Sequence, residues 1–174
     1  MSEVILIMSV LLNLVFGLFI LVNYYSKREK IVKDKELQLE KLRQDAAIFR
    51  NRVNLLVQWL EKRNQNRTIG AYLKEKGIKN VGIYGLGTIG ERLLEELLAD
   101  KDITVSYILD KKWVLQGGRC EGIPVISPDL IKKYPGVQWL IVTPVFDLYS
   151  IRTEIFKIDP HTEIKGIDEI INRM

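Results

Sequence analysis

The chain has few of the side chains that build metal sites and disulfides. Its 174 residues include a single cysteine, Cys120, and a single histidine, His161. One cysteine excludes a disulfide within the chain and is typical of a reducing compartment. Zinc sites need several Cys or His ligands at short spacing, and the sequence contains no such cluster. No Ser/His/Asp set or carboxylate pair has a supporting motif either, so the sequence indicates no catalytic residue and no metal ligand.

Charge is missing from the beginning of the chain. Residues 4–22 are nineteen positions without Asp, Glu, Lys or Arg. At about 1.5 Å per residue, a helix of this length crosses the hydrocarbon core of a bilayer. A cleaved signal peptide would have a basic start and a small-residue cleavage site, whereas this segment follows Met-Ser-Glu and ends at Tyr24-Tyr25. Residues 1–25 are therefore predicted to form an uncleaved transmembrane anchor.

Positive charge is concentrated directly after this anchor. Residues 26–67 carry twelve Lys or Arg against six Asp or Glu, whereas the whole chain has a net charge of only +4. Because segments rich in Lys and Arg stay on the cytoplasmic side, the N-terminus is predicted outside and everything after residue 26 in the cytoplasm. This topology is that of a single-pass protein of the inner (cytoplasmic) membrane. The basic excess indicates lipid headgroups, not nucleic acid, as its partner.

Proline and glycine are absent from residues 27–67, so nothing there interrupts a helix. Apolar residues recur every seven positions in two series, which are Val32, Leu39, Ala46, Val53 and Leu60, and Leu42, Phe49 and Leu56, with Lys35 and Arg63 as charged exceptions. This repeat favours a coiled coil over a surface helix, which would need another domain to cover it. Because every copy is anchored at the same end, residues 26–67 are predicted to form a parallel homodimer.

A second helix contact is suggested inside the anchor. Ser9, Asn13 and Gly17 recur every four residues, a spacing that either mediates helix pairing in lipid or arises by chance. The seven-residue repeat, continued back into the anchor, does not place these residues on the same face. Either the helix is interrupted near residues 24–31, or one of the two contacts is wrong.

A glycine loop organises residues 68–174. The apolar run Val81–Tyr84 is followed by Gly-x-Gly-x-x-Gly and then by an amphipathic helical pattern. In this order the first glycine permits a tight turn, the second lets the backbone approach a pyrophosphate, and the third lets the helix pack on the sheet. Asp110 closes the next apolar run, where an acid hydrogen-bonds a ribose hydroxyl. The cofactor-binding residues predicted from this motif are Gly85, Leu86, Gly87, Thr88, Ile89, Gly90 and Asp110.

Two further features of this region leave alternatives open. Lys111 and Lys112, beside Asp110, either meet a ribose phosphate, which would relax a preference for NAD over NADP, or are plain surface lysines. Trp113 and Arg119 either cover a base by stacking or pack on their own loop. Two Tyr-x-x-x-Lys matches, at residues 72–76 and 107–111, lie where neither would reach a nicotinamide ring.

Alternating strand and helix patterns predict an α/β fold for residues 68–174. Predicted strands cover residues 80–84, 103–109, 123–126, 137–143 and 162–167, and predicted helices cover residues 69–76, 88–99, 128–134 and 147–158, with a last helical turn at the end. Right-handed crossovers give a small five-stranded parallel Rossmann-like sheet in the order 3-2-1-4-5. The domain is a single nucleotide-binding lobe without a second substrate domain.

Four segments together resemble a known group of domains. They are Ile-Tyr-Gly-Leu-Gly-Thr-Ile-Gly at 83–90, Tyr-Ile-Leu-Asp-Lys at 107–111, Gly-Ile-Pro-Val-Ile-Ser at 122–127 and Leu-Ile-Val-Thr at 140–143. This set resembles the small Rossmann domains at the front of bacterial polysaccharide-biosynthesis proteins, such as capsular-type sugar-nucleotide dehydratases and sugar acetyltransferases. The resemblance implies phosphates at the three glycines, a ribose or base edge at Asp110, and Thr143 and Pro144 as the opposite wall. The ligand it implies is NAD(P) or a UDP-sugar, although some such domains bind nothing.

Three functions remain as expectations. The first is a membrane-anchored, dimeric nucleotide- or nucleotide-sugar-binding module, accessory or regulatory in cell-envelope polysaccharide synthesis. The second is a minimal NAD(P)-dependent oxidoreductase or sugar-nucleotide-modifying enzyme that a partner completes, because no catalytic or acyltransferase domain is expected in this chain. The third is a ligand-free structural scaffold.

Overall fold

The computed structural model of the protein describes residues 2–113 and 118–174. Gly117, which falls in the loop expected between the predicted strands at 103–109 and 123–126, lies outside them. The chain divides into two compact units, Met1–Phe49 and Arg50–Met174. The second unit therefore begins inside the segment predicted as a linker. It contains residues 50–67 together with residues 68–174, which are here called the α/β lobe.

The first unit is helical, as the larger part of α1 (Ser2–Asn64). Its apolar side chains face outward, with Leu12 72% and Phe19 63% exposed. A helix near the N-terminus is thus long and apolar enough to cross a membrane. The helix runs through residues 24–31 without a break, which excludes an interruption there and leaves the other alternative, that one of the two helix contacts is wrong.

The last turns of α1 pack inside the second unit. Leu55 is 7% and Trp59 3% exposed, and both belong to the main hydrophobic core. Full burial of such a side chain stabilises a fold by about 1.5–3 kcal/mol. A fragment that begins at residue 68 would lose both side chains from its core.

The α/β lobe alternates helices and strands as its pattern predicts. After α1 come α2 (Ile69–Glu75), β1 (Asn80–Tyr84), α3 (Thr88–Leu98), β2 (Thr104–Leu109), β3 (Arg119–Cys120), β4 (Ile123–Ile126), β5 (Trp139–Val142), α4 (Leu148–Ile158), β6 (Glu163–Gly166) and α5 (Ile167–Arg173). Two 3-10 turns, Pro128–Lys133 and Val145–Asp147, precede β5 and α4. The first stands where the sequence pattern predicts an α-helix. Its backbone bonds span three residues, from Leu130 N to Ser127 O and from Tyr134 N to Ile131 O, which is the 3-10 spacing.

Within the residues that the structure describes, the sheet has six strands in the order β3-β4-β2-β1-β5-β6, so the predicted count of five and the order 3-2-1-4-5 are wrong. The additional strand, β3, pairs antiparallel with β4, whereas the other neighbouring strands are parallel. Glu121 and Gly122 join β3 to β4 with φ angles of 51° and 80°. Positive φ at both central residues is typical of the two-residue turn that makes a hairpin.

Helices cover both faces of this sheet. On one face α2, α3, α5 and the end of α1 pack on β1 through Val81 and Ile83, both fully buried. On the other face α4 and the first 3-10 turn cover Leu109, Leu140 and Val142. Strand β5 is buried at every position, as expected for a central parallel strand. The carboxyl ends of β1, β2 and β5 thereby meet at one edge of the sheet.

Candidate functional site

The glycine loop (residues 85–90) begins with a turn that only glycine makes without strain. Gly85 has a φ of 91°, in the left-handed region that side chains disfavour. Its N–H donates to the carbonyl oxygen of Leu109 at 2.8 Å. A Cβ at this position would lie 2.9 Å from both Pro144 Cδ and Thr143 Oγ1. Gly85 therefore lets the loop pass closely between the ends of β2 and β5.

Two further glycines of the loop meet opposite surroundings. Gly90 lies against the carbonyl oxygen of Gly85, where a Cβ would overlap with that atom. Gly87 is the N-cap of α3 and is exposed, and a Cβ there would meet no atom within 4 Å. The first N–H groups of a helix have no acceptor within it. The start of α3, at Gly87 and the exposed Thr88, is therefore open to an anion.

The two hydrophobic residues of the loop anchor it from beneath. Leu86 is 2% and Ile89 7% exposed, and both pack in the core on the α3 face of the sheet. Their side chains point away from any ligand above the loop. Residues 86 and 89 can thus contribute backbone groups alone to such a ligand.

Asp110 ties the end of β2 to the loop. Its Oδ2 accepts from Leu86 N at 2.8 Å, and its Oδ1 accepts from Lys112 N at 2.8 Å and Trp113 N at 3.1 Å. A carboxylate has about four acceptor positions, so one remains for a hydroxyl group of a ligand. One of these three donors, Leu86 N, belongs to the glycine loop itself.

Thr143 closes the gap between β1 and β5. It is 7% exposed, and its Oγ1 lies 2.9 Å from Gly85 O and 3.2 Å from Tyr84 O. Its N–H donates to Tyr84 O at 3.0 Å. Thr143 and Pro144 therefore form a wall that touches the loop directly, and the open side of the loop is the side of Gly87.

Lys111 points to a different group of side chains. Its Nζ lies 3.0 Å from Glu154 Oε1 on α4, and this hydrogen bond raises the pKa of the Lys111 amine. Burial raises the pKa of the neighbouring Tyr84 phenol, and the charge of Glu154 raises it further. To meet a ribose phosphate, Lys111 would have to leave Glu154.

The remaining residues singled out in the sequence lie apart from the loop. Trp113 packs against the core, and Arg119 Nη1 donates to Gly122 O at 3.2 Å within the β3–β4 hairpin. His161 is exposed in the turn before β6. Tyr107 is buried, and burial raises the pKa of its phenol to about 12. A buried phenol with so high a pKa is a weak acid and is scarcely ionised near neutral pH, which argues against a catalytic Tyr107–Lys111 pair.

A separate open cavity of about 530 Å³ lies between the end of α1, α2 and α3. Its walls include Arg63, Lys74, Arg92 and Lys101, with Glu95, Glu96 and Asp100 as acids. Three of these cations already pair with those acids, at 2.7 Å for Arg92–Glu95, 2.9 Å for Lys74–Asp100 and 3.5 Å for Arg63–Glu96. Most of the charged side chains around this cavity are thus paired with one another. The cavity is therefore better explained as a contact region between helices than as a binding site for a charged ligand.

The sequence did not indicate two of the residues in these contacts, Glu154 beside Lys111 and Glu96 beside the cavity. Glu154 approaches Lys111 from a helix 43 positions later, and no motif marks it. Glu96 is a buried carboxylate on α3, and only its place on the apolar side of an amphipathic helix could have indicated it. The loop itself, Asp110 and the Thr143–Pro144 wall meet at the carboxyl edge of the sheet.

No protein-family model matches this chain, and no curated protein matches it. The function is therefore argued from the geometry of the loop.

Proposed function

We propose that the protein is a membrane-anchored module that binds a nucleotide or a nucleotide-sugar. One observation carries the proposal. Gly87 and Thr88 are exposed at the start of α3, and the space beside Gly87 is free of protein atoms within 4 Å of where a Cβ would lie. An anionic diphosphate fits such a helix start because the helix dipole and unpaired N–H groups favour negative charge there.

The chemistry around the loop favours NAD(P) or a UDP-sugar. The diphosphate would contact the backbone of residues 87–90, and the remaining acceptor position of Asp110 would take a ribose hydroxyl. Thr143 and Pro144 would limit the ligand on the side of β5. Lys111 would reach the ligand only after it gives up its ion pair with Glu154.

The anchor and the repeat supply the rest of the proposal. The apolar part of α1 spans the inner membrane with the N-terminus outside, and the α/β lobe lies in the cytoplasm, as the positive charges after the anchor favour. The heptad positions of α1 pair two copies in parallel. The resemblance to domains of bacterial polysaccharide-biosynthesis proteins suggests an accessory or regulatory role in cell-envelope polysaccharide synthesis.

Each alternative function is favoured by one observation. The contact of Tyr84, Lys111 and Glu154 places three titratable groups near the loop, which favours an oxidoreductase or sugar-nucleotide-modifying enzyme completed by a partner. The use of Asp110 by the backbone of its own chain favours a ligand-free scaffold. Turnover of a bound nucleotide by the purified dimer would support the enzyme, and failure to bind any nucleotide would support the scaffold.

The test is ligand binding by the full chain in detergent, measured by native mass spectrometry and calorimetry with NAD, NADP and UDP-glucose. Gly87→Val fills the open space at the start of α3, and we expect at least a tenfold loss of affinity for the ligand that binds. The backbone of Gly87 is extended, with φ −82° and ψ −172°, which valine also adopts, so the fold should persist.

The matched control is Gly136→Val. Gly136 is also exposed, and a Cβ there also meets no atom within 4 Å, but it lies before β5 at the other edge of the sheet. The control should bind like the unchanged protein. Equal affinity of the two variants for every nucleotide would contradict the assignment of the loop.

A further inference from the structure

The end of α1 carries apolar side chains on two faces. Leu55 and Trp59 are buried against the α/β lobe, at 7% and 3% exposure. Val53, Val57 and Leu60, here called the open face, are 40%, 49% and 57% exposed. One helix therefore carries a covered apolar face and an uncovered one within about two turns.

The covered face is held by a buried carboxylate on α3. Glu96 Oε2 accepts from Trp59 Nε1 at 3.0 Å, and Glu96 Oε1 accepts from Ile69 N at 2.6 Å. Arg63 Nε lies 3.5 Å from the same carboxylate, whose side chain is 7% exposed. Because these contacts fix which side of α1 the lobe occupies, the lobe cannot rotate to cover the open face without losing them.

The open face continues the seven-residue repeat. Val53 and Leu60 are the last two members of the series that begins at Val32. At about 100° per residue, the open face centres about 145° away from Leu55 and Trp59. Of the repeat positions in these turns, Val53 and Leu60 are left exposed by the lobe, whereas Leu56 is half-buried and packs partly against its core.

Charge complementarity just before the open face, on the same repeat, indicates which molecule covers it. In a parallel, in-register pair, the residue before one core position faces the residue five places later in the partner helix. Asp45 holds the first of these places and Arg50 the second, and both are exposed. A second copy of this chain therefore brings an acid against a base on both sides of the pair.

We propose that a second copy of the chain packs, parallel and in register, on the open face of α1. A twofold axis along the pair then places the two α/β lobes on opposite sides of it. Each glycine loop is built by contacts within one chain, from Gly85 to Leu109 and Thr143 and from Leu86 to Asp110. This deepens the proposed function and depends on it for one point, namely that the dimer binds two ligands at separate, complete sites.

Disulfide cross-linking of the full chain in membranes tests the face. In a Cys120→Ser background, Leu60→Cys places a thiol on the open face, whereas Gln58→Cys places an exposed thiol about 130° away from the centre of that face. Mild oxidation should convert most of the Leu60→Cys chain to a covalent dimer and little of the Gln58→Cys chain. Equal cross-linking of the two variants, or cross-linking of Gln58→Cys alone, would overturn the proposal.

Charge exchange tests the orientation. Asp45→Arg opposes two cations in a parallel pair and should lower Leu60→Cys cross-linking severalfold, and adding Arg50→Asp should restore it. A double variant that cross-links no better than Asp45→Arg would overturn the parallel register.

Ligand stoichiometry is then measured on the cross-linked dimer. A dimer that cross-links but binds no nucleotide contradicts the proposed function and leaves the pairing intact, whereas one ligand per dimer contradicts the separate sites.

Discussion

The two ends of α3 use polar groups in opposite ways. At its start, Gly87 and Thr88 are exposed and the first-turn N–H groups have no acceptor within the helix. Near its end, Glu96 is buried and accepts hydrogen bonds from Trp59 and Ile69 while it pairs with Arg63. A cavity lies beside the second end, yet most of the charges around it are already paired. Unsatisfied donors therefore mark the candidate site better than empty volume does.

The largest effect in this comparison is expected from Glu96→Ala. It removes the acceptor of two hydrogen bonds in a largely buried place, and each buried group left without a partner costs about 1–3 kcal/mol. We expect the free energy of unfolding to fall by about 3 kcal/mol. The measurement is denaturant unfolding of the full chain in detergent, followed by tryptophan fluorescence.

The neighbouring Glu95 is the matched control for that change. Glu95 is 56% exposed and pairs with Arg92 at 2.7 Å, and an exposed helical ion pair contributes about 0.3–0.5 kcal/mol. Glu95→Ala should therefore leave the unfolding free energy nearly unchanged. If both variants lose a similar amount of unfolding free energy, the burial of Glu96 does not make it more important for stability than the exposed Glu95.

A smaller effect is expected from comparing alanine at Gly90 and at Gly87. A Cβ at Gly90 overlaps with the carbonyl oxygen of Gly85, and overpacking of this kind costs about 1–3 kcal/mol. Gly87→Ala meets open space and should change the unfolding free energy by less than about 0.5 kcal/mol. The same denaturant titrations measure both. If Gly87→Ala is the more destabilising of the two, the description of the loop is wrong.

The smallest effect is a pH dependence of the unfolding free energy that comes from Asp100, just after the end of α3. A hydrogen bond from Lys74 lowers the pKa of the Asp100 carboxyl below its usual 3.8. A group whose pKa is lower in the folded state stabilises the fold above the pKa of the unfolded state. That contribution is lost as the pH falls from about 4 through the lowered folded value.

Asp100→Asn should flatten the acid limb of the stability curve, and Lys74→Met should do the same because it removes the partner. The free energy of unfolding is measured between about pH 5 and pH 2.5. An unchanged acid limb in both variants would contradict a role for this pair.

Local chemistry explains which parts of the fold were predictable. The turn at Gly85 and the helix start at Gly87 depend on backbone freedom, which a glycine pattern reports directly. The use of Asp110 by three backbone N–H groups depends on tertiary geometry, and no residue type announces it. For the same reason the sequence did not indicate that Lys111 forms an ion pair with Glu154.

Short elements were harder to predict than long ones. Strand β3 has two residues, too few for an alternating pattern, and the only signal was the Glu121-Gly122 pair at its turn. Pro128–Lys133 has the start of an α-helix, with Ser127 before it and a proline in the first turn, yet its six residues close as a 3-10 turn. A helix start specifies where a helix begins, whereas its length depends on how the residues after that start pack.

Strand β3 has one consequence for how the sheet meets other molecules. Exposed sheet edges recruit strands from other molecules. By folding back over β4, Arg119–Cys120 occupies the hydrogen-bonding groups that this edge would otherwise present. On the opposite edge, β6 carries Glu163 and Lys165, whose charges discourage the same kind of pairing. Both edges of the sheet thereby carry features that discourage edge-to-edge pairing with strands of neighbouring molecules.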